Sequence, residues 1–180
     1  MREAGQRTGR FRAGDGARSD SDLAPSGDLL LARRGTAFFA RLLNALPDPE
    51  LYQDSCVPGW QRCHVVASVG LHARELANEI EAIRTGTPVV KLSGSVLPEL
   101  REYATIPARA LRHLFSHSAV HLNVVWRDLS DAEWKMSNAE TLISHTPLER
   151  GKVIWEAALK INTGVSASIF PEDVKRVLHN

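Results

Sequence analysis

The chain has 180 residues, 43% hydrophobic and 24% charged, which is typical of one globular domain with a sizeable core. Its formal net charge of +1 gives no electrostatic reason to expect nucleic acid or an anionic membrane as a partner. No apolar run approaches the roughly 20 residues that a membrane span needs. With two cysteines and no signal-peptide pattern, the sequence favours a reduced, cytoplasmic protein over a secreted disulfide scaffold.

Residues 1–26 differ in composition from the rest of the chain. They are rich in Gly, Arg, Ser and Asp, and Phe11 is their only large apolar side chain before Leu23. Such a segment cannot bury an apolar face. We therefore predict a disordered tail over residues 1–26, followed by one helical domain over residues 27–180.

The first two of four long helical signals follow the tail. The first begins near Ser26 or Asp28 and ends at Leu46. Its expected core residues are Leu29, Leu30, Phe38, Leu42 and Leu43. The second extends from Trp60 to about Thr85. Its apolar residues share one face at helical spacing, namely Val65, Val69, Leu76, Ile80 and Ile83.

The second half of the chain predicts two more long helices. A short helix near residues 97–103 comes first, and Pro107 then begins a helix that continues to about Arg127. Its expected buried stripe is Leu111, Phe115, Ser118, Leu122, Val125 and Leu129. Thr146 and Glu149 resemble a capping box for the fourth helix, which Gly164 ends. A last short helix begins near Phe170, and no strand pattern competes, so the prediction is an all-α four-helix bundle.

A polar strip lies beside the apolar face of the second helix. Its members are Ser68, His72, Glu75 and Glu79, at positions i, i+4, i+7 and i+11. A histidine and a carboxylate in a partly enclosed site can act as general acid and base. The same residues could instead form a metal site, or a solvated flank paired with Arg74. All three interpretations stay open from the residues alone.

Two further groups of side chains invite a chemical interpretation. His64 could contact a ligand or cap its helix, while Cys63, in the first helical turn, is either a reactive thiolate or a small buried hydrophobe. Together with Cys56 they could form a zinc cluster. His113, His117 and His121 form an i, i+4, i+8 ladder that could chelate a metal, although its position opposite the core stripe favours solvated histidines.

The stretch from Val57 to Ser68 reads Val-Pro-Gly-Trp-Gln-Arg-Cys-His-Val-Val-Ala-Ser. It resembles the Pro-Gly-Trp-x-x-x-His-Val-x-x-His signature of the mycothiol-dependent maleylpyruvate isomerases, with serine at the last position. The likeness covers most of residues 28–175. Further matching segments are Arg84-Thr-Gly-Thr-Pro88, Leu129-Ser-Asp-Ala-Glu-Trp134, and Asn162-Thr-Gly-Val-Ser166 followed by Phe170-Pro-Glu-Asp173. The resemblance implies the DinB-like four-helix bundle of that family, in up-down-down-up order.

In that family three side chains hold a divalent metal inside the bundle. They are the second histidine of the signature and a Glu and a His four residues apart on the last long helix. By resemblance these positions are Ser68, Val153 and Ala157 here. A serine hydroxyl is a poor ligand for zinc-like ions, and Val and Ala have no donor atom. We therefore expect no metal at this site, with Trp155 helping to fill the space.

The resemblance implies a thiol-dependent isomerase or S-transferase, in which the metal activates the thiol of mycothiol for attack on an electrophilic carbon. Because the ligands are replaced, we expect a metal-independent variant with His72 and Glu75 as catalytic residues. His64, Ser68 and Glu79 are the expected ligand-binding residues. The expected partners are a small-molecule substrate and a thiol, with mycothiol the candidate cofactor. A homodimer or separate partner chain stays open, and the alternative function is a catalytically inactive binding or partner subunit.

Overall fold

The computed structural model describes residues 19–89 and 102–179. Within these ranges the regular structure is helical, with two isolated bridges, Asp54–Gln61 and Ser137–Leu142. The helices are α1 (Ser26–Ala45), α2 (Arg62–Thr85), α3 (Ala108–Arg127), α4 (Thr146–Lys160) and α5 (Glu172–His179). Short 3₁₀ turns lie at Asp48–Tyr52, Glu133–Lys135, Ile143–His145 and Ala167–Ile169. The predicted all-α fold is confirmed, while most of the expected short helix at 97–103 lies outside the described residues.

Hydrogen bonds between helix ends give the topology of the bundle. Arg33 near the start of α1 donates to Asn123 near the end of α3, and Arg112 near the start of α3 donates to the Leu46 carbonyl at the end of α1. These two helices are therefore antiparallel. In the same way, Arg62 at the start of α2 reaches Asn162 just after α4, so α2 and α4 are antiparallel.

The other two helix pairs are parallel and closely packed. Gly35 of α1 lies against Ile154 of α4, and Gly151 one turn earlier lies against Leu31. Gly70 in the first half of α2 lies against Leu114 in the first half of α3. With α1 and α4 running one way and α2 and α3 the other, the order is up-down-down-up, as the resemblance implied.

The core residues predicted for α2 and α3 are all buried, because each stripe keeps to one side of its helix. The prediction for α1 was wrong at Leu30, which is 55% exposed. Leu29 rather than its neighbour starts the buried stripe, since adjacent helical residues point about 100° apart. The stripe comprises Leu29, Ala32, Gly35, Phe39 and Leu43. Phe38 and Leu42 lie half-buried at its edge.

The segment before α1 contacts the bundle from residue 20 onwards. Asp20 accepts two hydrogen bonds from the Arg33 guanidinium, at 2.5 and 2.7 Å, and the Leu23 backbone N–H donates to Asp131 at 3.0 Å. The part of the predicted disordered tail that the structure describes, residues 19–26, is thus attached by specific contacts. Residues 1–18 lie outside the described residues.

Both ends of α4 differ from the prediction. Thr146 is not the N-cap, because a 3₁₀ turn leads directly into the helix and Thr146 is already helical. Its buried hydroxyl donates to the Ile143 carbonyl and accepts from the Trp126 indole N–H. The helix ends at Lys160 rather than near Gly164, and Asn162 takes up the left-handed conformation with φ of 58°. No helix in the described ranges combines the length and apolar character needed to cross a bilayer.

Candidate functional site

The antiparallel packing of α2 and α4 brings the polar strip of α2 against the first turns of α4. His72 lies between two side chains of α4, Glu149 and Arg150. Its Nε2 is 3.2 Å from the Glu149 carboxylate, and the Arg150 Nη1 is 3.3 Å from its Nδ1. The carboxylate that His72 contacts is therefore Glu149, on another helix. Glu75, which the sequence analysis named beside His72 as a catalytic residue, lies on α2 itself.

The contacts of His72 define its protonation state. A guanidinium can only donate, so the Nδ1 atom facing Arg150 accepts, and the ring proton lies on Nε2 and points to Glu149. Burial lowers the pKa of His72 below its ordinary value, and the charge of Arg150 acts in the same direction, while Glu149 opposes both. The imidazole is thus neutral at pH 7 and orients the Glu149 carboxylate by donating to it.

Arg150 is the most unusual residue of the cluster, because its charged side chain is only 1% exposed. Its Nη1 also donates to the Val69 carbonyl at 2.8 Å, but its Nη2 has no partner among the described residues. Burial lowers the pKa of Arg150 to about 9, which still leaves the guanidinium charged at neutral pH. A buried cation with an unused donor is costly for stability, so it points to a role in binding or catalysis.

Two carboxyl groups of the cluster have pKa values displaced in opposite directions. Burial raises the pKa of Glu75, and the nearby charges of Glu149 and Glu79 raise it further. The hydrogen bond from His72 lowers the pKa of Glu149 despite partial burial. Such a division is how enzymes assign the acid and base roles to two similar groups. Of the two, Glu75 is therefore the better proton donor and Glu149 the group that stays ionised to lower pH.

Two other members of the strip, Ser68 and Glu79, form hydrogen bonds outside the cluster. Ser68, one turn from His72, donates its hydroxyl hydrogen to the Val65 carbonyl at 2.9 Å. Glu79, at the other end, accepts hydrogen bonds from Thr141 and from Asn138, both in the turn region before α4. Glu79 therefore anchors that segment to α2.

His64 and Cys63 lie buried at the start of α2. The His64 Nδ1 accepts the Gln61 backbone N–H at 2.9 Å, which is the capping alternative of the sequence analysis. Cys63 was considered as a reactive thiolate, but burial raises its pKa, so it behaves as the small buried hydrophobe. Cys56 is exposed, and within residues 19–89 and 102–179 no three His, Cys, Asp or Glu side chains gather as a metal site.

Two other sequence features lie away from this cluster. The histidine ladder of α3 is exposed along its whole length, with the rings of His113 and His117 stacked at 5.6 Å. Trp155, which was expected to help fill the space of the family's metal site, faces α1. Its indole N–H donates to the Leu31 carbonyl, and its ring packs on Phe38 and Phe170.

Sequence reasoning missed the part of the cluster that α4 contributes. Glu149 was assigned to a capping box, and Arg150 was not considered. One signal was available, since Arg150 precedes the buried Ile154 by four residues and Ala158 by eight. A charged residue on the apolar stripe of a helix requires partners inside the fold.

Comparison with known proteins decides the family. The sequence profile of the mycothiol maleylpyruvate isomerase N-terminal domain matches residues 32–156, which is more than half of the chain. The chain belongs to this family. The matched range includes the whole His72, Glu149 and Arg150 cluster. No match was found among curated proteins.

Solved structures agree with this assignment. The crystal structure of a mycothiol-dependent maleylpyruvate isomerase superposes with a TM-score of 0.75 and 29% sequence identity, covering 84% of this chain. A histidine-to-alanine mutant of that enzyme gives the same values. This chain spans 66% of the length of the isomerase.

The resemblance described above assigns three positions of this chain to metal ligands. Ser68 and Val153 lie within the matched range, and Ala157 follows directly after it. The Ser68 hydroxyl is engaged with its own helix, and the alkyl side chains of Val153 and Ala157 have no atom that could bind a cation. The donor chemistry of these three side chains does not fit a divalent metal ion.

Proposed function

We propose that this protein is a metal-independent member of the isomerase family, which uses a low-molecular-weight thiol to isomerise or conjugate a small electrophile at the α2–α4 cluster. The observation that supports the proposal most is the pair Glu75 and Glu149, whose pKa values diverge beside the buried Arg150. Mycothiol is the proposed thiol, since the matched isomerase is named for its dependence on it.

The roles follow from the protonation states. The Glu149 carboxylate, held by His72, accepts the proton of the thiol as sulfur bonds to the electrophilic carbon of a conjugated alkene. The electron pair of the double bond moves to the adjacent carbonyl oxygen, which takes a proton from Glu75. After rotation about the new single bond, Glu75 recovers its proton, the thiolate leaves, and Glu149 returns the first proton to it. The net products are the isomer and the free thiol.

Arg150 contributes electrostatically in this scheme. Its positive charge lies in the protein interior, where charges interact more strongly than in water. It stabilises the negative charge that develops on the sulfur and on the carbonyl oxygen while protons are transferred. Ser68 lies one turn away and is proposed to contact the ligand, as is His64 at the start of α2. The contacts of Glu79 with Thr141 and Asn138 favour an anchoring role for that residue instead.

The test is turnover of maleylpyruvate with mycothiol by protein purified without chelator or nickel resin, together with its metal content by elemental mass spectrometry. We expect no stoichiometric metal, activity that survives chelator, and a loss of about 100-fold in kcat/KM for Glu149→Gln. Glu156→Gln is the matched control, because Glu156 is an exposed carboxylate on the same helix and pairs with Lys160.

Two results would contradict the proposal in different ways. Near-stoichiometric metal that is lost in a His72→Ala variant would mean a relocated metal site. Folded, mycothiol-binding protein without turnover would favour the alternative, a catalytically inactive partner subunit.

A further inference from the structure

A cavity of about 350 Å³ lies on the opposite side of the bundle, between α1 and α3. Its walls are mostly apolar and are built from small side chains and one indole ring. They include Ala37 and Ala40 of α1 and Ala119, Val120 and Trp126 of α3. Val120 is 64% exposed, so the cavity opens to solvent beside it. A volume of this size is within the range that holds a small organic ligand.

The two charged side chains that line the cavity, Arg33 and Arg150, are both positive, and no described acid lines it. Its other polar side chains, Thr36 and Asn123, are uncharged. Arg33 is already neutralised, because its guanidinium makes a two-bond contact with Asp20. Arg150 is different. It enters from α4, lines the cavity, and has no carboxylate paired with it among the described residues, while its Nη2 donates to nothing there. The interior end of the cavity therefore has an uncompensated positive charge.

We propose that this cavity binds a small amphiphilic carboxylate, whose aliphatic or single-ring aromatic body fills the space between α1 and α3 and whose charge is matched by Arg150. A carboxylate is favoured over a neutral ligand, because a guanidinium donates its strongest hydrogen bonds to an anionic acceptor. It is favoured over a larger phosphate ester, because the lining offers apolar contacts and a single unpaired cation. The cavity lies on the other side of the bundle from the His72–Glu149 contact, and Arg150 is the residue that the two sites share.

The experiment uses octanoate as the probe and octanamide as its neutral counterpart, titrated into nitrogen-15-labelled full-length protein. The indole N–H signal of Trp126, assigned with a Trp126→Phe variant, reports on the cavity, because that ring lines its wall. We expect octanoate to shift this signal in a saturable manner. Octanamide should bind at least about tenfold more weakly.

Two variants localise the binding. Ala119→Phe fills the cavity while leaving Arg150 in the sequence, and it should abolish the octanoate shift. Ala110→Phe is the matched control on the exposed side of the same helix and should leave it unchanged. Unaltered octanoate binding in Ala119→Phe would place the ligand elsewhere and overturn the proposal. Equal affinity for octanamide, or no saturable shift in the unmodified protein, would overturn it as well.

Discussion

Glu133 shows how one carboxylate can hold two parts of the bundle together. It accepts hydrogen bonds from the backbone N–H and the hydroxyl of Ser130, at 2.8 and 2.7 Å, and from the Arg84 guanidinium at the end of α2, at 2.7 Å. The next residue, Trp134, is 1% exposed. The Ser130–Glu133 turn thus fixes the indole of Trp134 against the core.

Replacing Glu133 with Gln is expected to lower the free energy of unfolding by about 1 kcal/mol at pH 7. Its three donors reduce the pKa of Glu133 from 4.5 to about 2. A carboxyl group whose pKa is lowered by folding stabilises the protein at pH values above its pKa in the unfolded chain. This stabilisation is lost as the pH falls towards the pKa of the group in the folded protein. The difference in Tm between the two proteins should therefore shrink between pH 4.5 and pH 2.

Thermal unfolding followed by circular dichroism over this pH range measures the effect. Glu102→Gln, at an exposed position before α3, controls for the loss of one negative charge. A Tm difference that stayed constant down to pH 2 would show that the charge of Glu133 does not contribute.

The individual partners of the candidate site could not be predicted from the sequence. The faces of α2 were predictable because a helix places residues three and four apart together. The partner of His72 lies 77 residues away, and Glu75 was the nearer carboxylate in sequence. Only the antiparallel arrangement of α2 and α4 decides between the two glutamates.

Two glycines allow α1 and α4 to pack closely. A Cβ on Gly35 would lie 2.5 Å from the Ile154 Cγ2 and 2.8 Å from the Trp155 Nε1. A Cβ on Gly151 would lie 2.8 Å from the Leu31 Cδ2. These separations are shorter than van der Waals contact, so the two helices rely on the absence of side chains at these positions.

Gly35→Ala is expected to destabilise the protein by about 1–3 kcal/mol, because the added methyl group overpacks the interface. Alanine has the better helix propensity, by about 1 kcal/mol, so the same change at an uncrowded position has the opposite sign. Gly27, in the first turn of α1 with nothing within 4 Å of its Cβ position, provides that control. Urea denaturation compares the two variants, and a stabilised Gly35→Ala protein would contradict the packing argument.

The helix boundaries were more predictable than their exact caps. Pro47 follows the end of α1, Gly86 follows the end of α2, and Pro107 precedes the start of α3. These residues act through local backbone geometry, so the sequence reveals the helix ends that they mark. For α4, the sequence predicted Thr146 as the capping residue, whereas Thr146 is the first residue of the helix itself. Thr146 is buried by its contact with Trp126, a tertiary interaction that local patterns cannot reveal.

Within the described residues, Arg150 is the charged side chain that the bundle buries most completely, at 1% exposure. Arg150 of α4 donates to the Val69 carbonyl of α2 and also lines the cavity between α1 and α3. Replacing a buried charge by an apolar group of similar size is often neutral or stabilising, because the cost of desolvating the ion disappears. Natural proteins keep such groups where function requires them.

Arg150→Met is expected to leave the free energy of unfolding unchanged or to raise it by up to about 2 kcal/mol. Arg150→Ala should lower it, because a cavity replaces the aliphatic part of the side chain. Chemical denaturation of both variants measures this contrast. Equal destabilisation of both would instead assign the guanidinium a structural role through its bonds to Val69 and His72.

The contacts of Arg112 affect how the molecule folds. Its guanidinium donates to the carbonyls of Leu43 and Leu46, which are 69 and 66 residues earlier in the chain. The Leu43 carbonyl also accepts the backbone N–H of Leu46, so the C-terminal cap of α1 combines a local hydrogen bond with the bonds from α3. Undocking of α3 would remove the bonds from Arg112 and leave the end of α1 with its local bond alone, which links fraying of α1 to undocking of α3. This coupling favours cooperative unfolding of the bundle over the independent melting of its helices.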